Sequence, residues 1–296
     1  MGRAQREKGD YQAALRSFQQ QLEIARKFGD PVQTTLAQQG IGSVLEAQDR
    51  WPDALLYYQD AYAAAKQSGD QLDVAYSLLD SSRMLWQLGR YGEAQQAIDA
   101  ASPGASRSLR DQLEAVRCRM ALSQRQFAVA GACSRRLLSQ TGVDHETAAE
   151  AASVLGLALA STGARRDGVA SATEAAALAV KSGRPPLIAE TGLARAEALL
   201  AAGDARQALD AALEAQPGFA RAGRQEAEWR CWLVASRAAA AVDGAAGAKS
   251  PEYARQASNL LAGLEQKWHS DSYSTYLARP DIQYARSQLA RLAGGK

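Results

Sequence analysis

The sequence predicts an all-α fold: a right-handed superhelical solenoid of about seven helix-turn-helix hairpins, ended by a C-terminal capping helix. Three observations lead to that class. First, a short phrase returns at a near-constant interval: "GDYQAALRSF" from residue 9, "DRWPDALLYY" from 49 and "GRYGEAQQAI" from 89. Second, a different glycine-containing mark alternates with it, so that each period divides into two stretches of helical length. Third, the apolar residues make up 47% of the chain but are mainly alanine and leucine, with 6% aromatic residues, a composition that favours helix over strand.

The elements follow in order from the two marks. The first falls at Gly9, Asp49, Gly89, Arg125, Gly163, Gly203 and Asp243, giving intervals of 40, 40, 36, 38, 40 and 40 residues. The second falls at "FGD" (28–30), "SGD" (68–70), "SPG" (102–104), "TGV" (141–143), "SGR" (182–184) and "AGR" (222–224). Glycine closes a helix by adopting the left-handed conformation, so each interval between marks reads as one helix of about 13–18 residues and each period as a hairpin. Pro31, Pro52, Pro185 and Pro251 stand at helix starts, where a missing N–H costs least. Only eight residues precede Gly9, so the first helix of the first hairpin is nearly absent and the apolar face of residues 11–28 is expected to be exposed. An upstream domain, or a fuller chain of which this is a fragment, would cover it. At the other end, "AVDGAAGAKSP" reads as a longer loop before a helix near Glu252, and "HSDSYSTYLARPDIQ" breaks the regularity. A final helix from about Asp281 puts Ile282, Ala285, Leu289 and Leu292 on one face. The expected division is a repeat array over 1–268 and an irregular segment with a cap over 269–296.

The residues within the periods resemble the tetratricopeptide repeat, with a Trp, then Leu-Gly, then Tyr on a first helix, and Ala and Phe on a second. "ASVLGLALASTG" supplies Leu155 and Gly156 for the Leu-Gly pair and Leu159 at the Tyr place. The second period supplies Ile41, Gly42 and Leu45, followed by Trp51, Ala54 and Tyr58; the seventh places Trp232 at the Trp position, followed by Ala235 and Ser236. Ser81, Arg117 and Arg195 take the Leu place in other periods. The period near 40 resembles the longer-helix members, and that resemblance implies a regulatory arm of the kind found in bacterial signalling, transcription and defence proteins.

The chemistry of the chain offers little for catalysis. Thirty-four basic against 32 acidic side chains give a net charge of +2, too weak a field to expect a nucleic acid or an anionic membrane as partner. The pairs Arg135–Arg136 and Arg165–Arg166 stand among acids without interleaved aromatics. Cys118, Cys133 and Cys231 have no CxxC spacing and read as buried thiols of a reducing compartment. With only His145 and His269, the chain has no paired metal ligands, no phosphate loop and no GxSxG elbow. A Cys133–His145 dyad would lack an orienting third group. No enzymatic activity, metal or cofactor is expected. The polar N-terminus lacks a signal region, Arg6 stands where a myristoylation site wants Ser or Thr, and no stretch would span a bilayer, so the expected location is the cytoplasm.

The resemblance implies that the first helices of successive hairpins line a concave groove holding a peptide or partner protein. Stepping from the Leu-Gly anchor in threes and fours places Ser43, Arg83, Arg119, Leu157, Glu197 and Arg237 in one inward row. Leu36, Tyr76, Gln112, Glu150, Glu190 and Arg230 form the next row, with Gln39 between the two rows and Trp86 one turn beyond Arg83. On this reading Arg83 and Arg119 grip an acidic group of the ligand, Tyr76 and Trp86 cover its apolar part, and Glu150, Glu190 and Glu197 favour a basic stretch further along. Alternatively, these are ordinary solvated positions, and Trp86 packs against the next hairpin. At the level of function, the main alternatives are a regulatory segment of a multidomain kinase, transcription factor or caspase-like peptidase, and a homo-oligomerising scaffold.

Overall fold

The structure, a computed structural model, describes residues 2–7, 9–243 and 249–293. Its described residues form helices throughout: α1 (Gly2–Glu7), α2 (Tyr11–Phe28), α3 (Pro31–Ala47), α4 (Trp51–Ser68), α5 (Gln71–Gln87), α6 (Tyr91–Ala101), α7 (Arg107–Ser123) and α8 (Phe127–Leu138). There follow α9 (His145–Ser161), α10 (Arg165–Ser182), α11 (Pro185–Ala202), α12 (Ala205–Ala222), α13 (Gln225–Asp243), α14 (Ser250–Lys267), α15 (Ser270–Leu277) and α16 (Pro280–Ala293). A single 3-10 turn, Ser102–Gly104, occupies the expected "SPG" mark. Helices α1 to α14 pair into seven hairpins, the all-α repeat class read from the sequence. The loop expected at "AVDGAAGAKSP" lies largely outside the described residues.

Local chemistry fixes the helix ends. Asp10, Asp30, Asp70 and Asp144 each cap a following helix by accepting backbone N–H bonds, for example from Gln33 N at 3.0 Å and from Thr147 N at 2.9 Å. The second mark closes α2, α4, α10 and α12 with a left-handed glycine. At two occurrences of the first mark a non-glycine residue takes the left-handed conformation: Asp49 and Arg125, with φ values of 54° and 60°. Asp49 is fully buried and shares in a tertiary contact described below.

The chain forms two compact units, one of residues 1–113 with 268–276 and the other of residues 114–267 with 277–296. In the N-terminal unit the core is built from Ile41, Trp51, Tyr58, Leu79, Met84, Leu88 and Ile98, all buried. Gly42 faces the Tyr58 ring so closely that a Cβ there would lie 2.7 Å from it. The short α1 packs on α2, with Gln5 accepting from the Ser17 hydroxyl at 2.8 Å, and leaves the far half of α2 open. There Ile24 is exposed and Phe28 is 77% exposed, bordering a pocket of about 490 Å³ that Gln20, Gln21 and Gln33 also line.

The segment 268–276 completes this unit. Trp268, just after α14, donates its indole N–H to the Asp49 carbonyl at 2.5 Å and stacks on Trp51 with ring centroids 4.7 Å apart. Tyr276 of α15 sets its edge against both indoles, at 6.2 and 5.0 Å. All three rings are buried, so the left-handed turn at Asp49 presents its carbonyl to a partner 219 residues away.

The C-terminal unit has an alanine-rich core, which explains how a chain poor in aromatics packs: Ala149, Ala151, Ala152, Ala172, Ala175 and Ala179 are fully buried. Small side chains let helix backbones approach. Helices α9 and α10 are one such pair: a Cβ on Gly168 would lie 2.5 Å from Ala160 N, and one on Gly156 would lie 2.8 Å from both Ala172 N and Gly168 O. The helix α16 packs on α13 and α14, as the expected cap.

One expectation is overturned. Cys118 and Cys133 are not separate thiols: they form a disulfide that joins α7 to α8 across the hairpin. Their separation of 15 residues carried no motif, and only hairpin pairing brings their Cα atoms to 5.5 Å. The imagined Cys133–His145 dyad therefore has no thiolate. Cys231 is free and buried, its thiol donating to the Ala212 carbonyl at 3.0 Å, and burial together with Glu197 and Glu228 pushes it up to about 12.

Candidate functional site

The predicted inward rows fall on the first helices, and three pairs in them follow one rule: a residue in the Ser43 row meets the residue of the Leu36 row on the following first helix. In the N-terminal unit Arg83 of α5 donates to Gln112 of α7 at 3.4 Å and lies 4.0 Å from Asp80. In the C-terminal unit Arg119 of α7 lies 3.7 Å from Glu150 of α9, and Glu197 of α11 pairs with Arg230 of α13 at 2.8 Å. The sequence step between partners is about one repeat less two helical turns, as expected for first helices stacked side by side.

Position 157 breaks the rule because it is leucine, and Glu190 therefore has no partner from α9. It is held instead by Arg119 at 3.8 Å and by Arg224 at 3.3 Å. Arg119 thus spans α7, α9 and α11. At Arg230, burial works against the charge, but Glu197, Glu226 and Asp281 outweigh it and hold the guanidinium charged. Glu150, Glu190 and Glu197 accordingly spend their charge on arginines of this chain. The sequence showed these residue types in these rows but not that the rows face each other. Arg237 has no ion-pair partner among the described residues.

The N-terminal unit presents a different face. Gln39 of α3 donates to the Ser77 hydroxyl of α5 at 3.0 Å, fixing the register of the two first helices. In that register Leu36 and Tyr76 are equivalent positions, as are Val32 and Leu72 one turn earlier. Val32, Leu36 and Leu72 are 40%, 38% and 44% exposed, and Tyr76 is half-buried. Ser43 turns back to the Gly40 carbonyl at 2.8 Å. Trp86 is 9% exposed, so its ring belongs to the packing rather than to an open surface.

Further along α3 and α5, with Tyr58 of α4 between them, lies a group that sequence reading missed. Tyr58 donates to Glu46 at 2.7 Å, and its own proton is held well above the usual phenol range by burial and by the Glu46 charge. Asp80 is pushed up to about 7, chiefly by burial and further by Glu46, with Arg83 and Arg6 opposing. The signal was weak because Glu46 and Asp80 sit on different first helices and occupy non-equivalent repeat positions.

In the C-terminal unit Glu114 pairs with Arg136 and Arg117 and lies beside the disulfide, with Oε1 3.5 Å from Cys133 Sγ. The ligand atoms of Glu114, Cys118 and Cys133 cluster within 4.8 Å, but the two sulfurs are bonded to one another. Among the described residues no helix is long and apolar enough to cross a membrane.

Residues 1–67 match the family model described as tetratricopeptide repeat. Among solved structures, the chain resembles a Rap protein crystallised with Competence and Sporulation Factor, at a TM-score of 0.55 and 12% identity over 88% of this chain and 77% of that one. It also resembles aspartyl phosphate phosphatase F from Bacillus subtilis, at 0.54 and 16% over 92% and 73%. At such identities the likeness is one of fold. No curated protein sequence matches the chain. Repeat pattern, hairpin geometry and these matches agree on the fold: the chain is an all-helical repeat protein, and its first 67 residues match the tetratricopeptide repeat.

Proposed function

We propose that this chain is a protein-interaction scaffold whose first-helix face in the N-terminal unit receives a peptide or partner protein. The observation that carries the reading is the matched exposure of Val32 and Leu36 on α3 and Leu72 on α5, beside Tyr76. Apolar side chains aligned across neighbouring helices form a patch of the kind that marks interaction surfaces. The inward arginines and glutamates of the C-terminal unit are paired with one another, which leaves less there for a charged ligand. A helical repeat protein crystallised with a factor, as the Rap structure is described, supports the use of such a fold for binding.

Incorporating a photo-crosslinking residue at Leu72, and separately at the exposed Val180 of α10, tests this in extracts of the source cell. Crosslinks from position 72 to one partner segment, lost when Leu36 is changed to Asp and absent from position 180, support the reading. Crosslinks that ignore Leu36→Asp, or that form equally at 180, overturn it. Light scattering on the same sample separates a homo-oligomer, whose dimer mass would stay constant on dilution.

A further inference from the structure

Cys118 lies immediately before Arg119 on α7, and Arg119 is the side chain that reaches both Glu150 and Glu190. In other hairpins the position of Cys118 is filled by Gly42, Gly156 or another small residue, and at Gly42 and Gly156 a Cβ would lie within 3 Å of the second helix, its Tyr58 ring in one case and its backbone in the other. The disulfide therefore joins the hairpin at a point of close approach. Around it Ala121, Ala130, Val154 and Ala158 pack as a closed cluster. Two unbonded thiols need more room than a bonded pair, and a close-packed interior of this kind passes such a change on as movement of a helix.

We propose that Cys118 and Cys133 form a reversible thiol–disulfide site whose oxidised form locks α7 to α8 and fixes Arg119 between the two glutamates. The reductant is a dithiol. Its thiolate attacks Cys133 Sγ, the slightly exposed sulfur of the pair, and the S–S electron pair leaves with the Cys118 sulfur, which takes up a proton. The second thiol of the reductant then displaces Cys133 from the mixed disulfide. Two electrons and two protons pass to the protein, and the dithiol becomes a disulfide; a small-molecule disulfide drives the reverse. Glu114 stands beside Cys133 Sγ, with its charge offset by Arg136 and Arg117. The third cysteine takes no part, because the Cys231 thiol is buried and its pKa is raised, so exchange is confined to one couple.

The whole chain, equilibrated in buffers of reduced and oxidised dithiothreitol, provides the test. Thiol counting in denaturant should give one thiol at the oxidising end and three at the reducing end. The oxidised form should melt roughly 5–10 °C higher, as expected for a loop of this size in a unit of this length. Hydrogen exchange followed by mass spectrometry should show reduction speeding exchange in α8 and in the first turns of α9 and α11, leaving α3 and α4 unchanged. Arg119→Ala in the oxidised protein should speed α9 and α11 alone, which separates the bridge from the staple. Three thiols at the oxidising end would overturn the proposal. So would exchange in α9 and α11 that is indifferent to the redox state while Arg119→Ala changes it.

Discussion

Replacing Trp268 with alanine removes the centre of the contact that joins the C-terminal segment to the second hairpin. The indole is buried, stacks on Trp51 at 4.7 Å and donates to the Asp49 carbonyl at 2.5 Å. Truncating a buried Trp costs about 3–5 kcal/mol through lost transfer energy and the cavity left behind. Leaving the Asp49 carbonyl buried without its donor adds about 1 kcal/mol. The total, on the order of 4–6 kcal/mol, is a large part of the 5–15 kcal/mol typical of a folded domain. Trp268→Phe keeps most of the apolar contact and loses the N–H, so it should cost on the order of 1–2 kcal/mol. Urea unfolding followed by circular dichroism gives the order wild type, Phe variant, Ala variant. Hydrogen exchange locates the loss at the start of α4 and in α15. A double-mutant cycle with Trp51→Ala should recover about 0.5–1.5 kcal/mol of coupling, the range for aromatic pairs. An Ala variant within 1 kcal/mol of wild type, or additive single mutants, would show that the three rings are neighbours without being a structural joint.

Three further predictions concern the other features. Gly156→Ala should destabilise the C-terminal unit by about 1–3 kcal/mol, since the new methyl would meet backbone atoms at 2.8 Å; Gly92→Ala in α6, where nothing lies within 4 Å, should gain up to about 1 kcal/mol from helix propensity. The Asp80 carboxyl has a folded pKa raised from 3.8 to about 7, so its contribution is fully present below pH 4 and is lost as pH rises towards 7. Asp80→Asn should therefore flatten the fall in melting temperature between pH 4 and 7, and a slope unchanged by the substitution would mean that other groups set it.

What the sequence determined by itself was the class, the number of hairpins and most boundaries. Those depend on local chemistry that recurs along the chain: capping aspartates at Asp10, Asp30, Asp70 and Asp144, closing glycines, and small residues such as Gly42 and Gly156 at hairpin contacts. It also placed Arg83, Arg119, Glu150, Glu190, Glu197 and Arg230 in rows on the first helices. Whether those charges face a ligand or each other depends on how successive first helices stack, and with leucine at 157 it is Arg119, one repeat further back, that meets Glu190. Three features came only from tertiary structure. The disulfide needed the pairing of α7 with α8, the raised Asp80 carboxyl needed Glu46 brought in from another repeat, and the Trp51–Trp268–Tyr276 contact needed the chain to return over more than two hundred residues. The last of these rests on a contact between residues that no repeat period relates. A repeat pattern specifies what a residue does within its own hairpin and with the next one, and carries no information on the places where the chain departs from that periodicity.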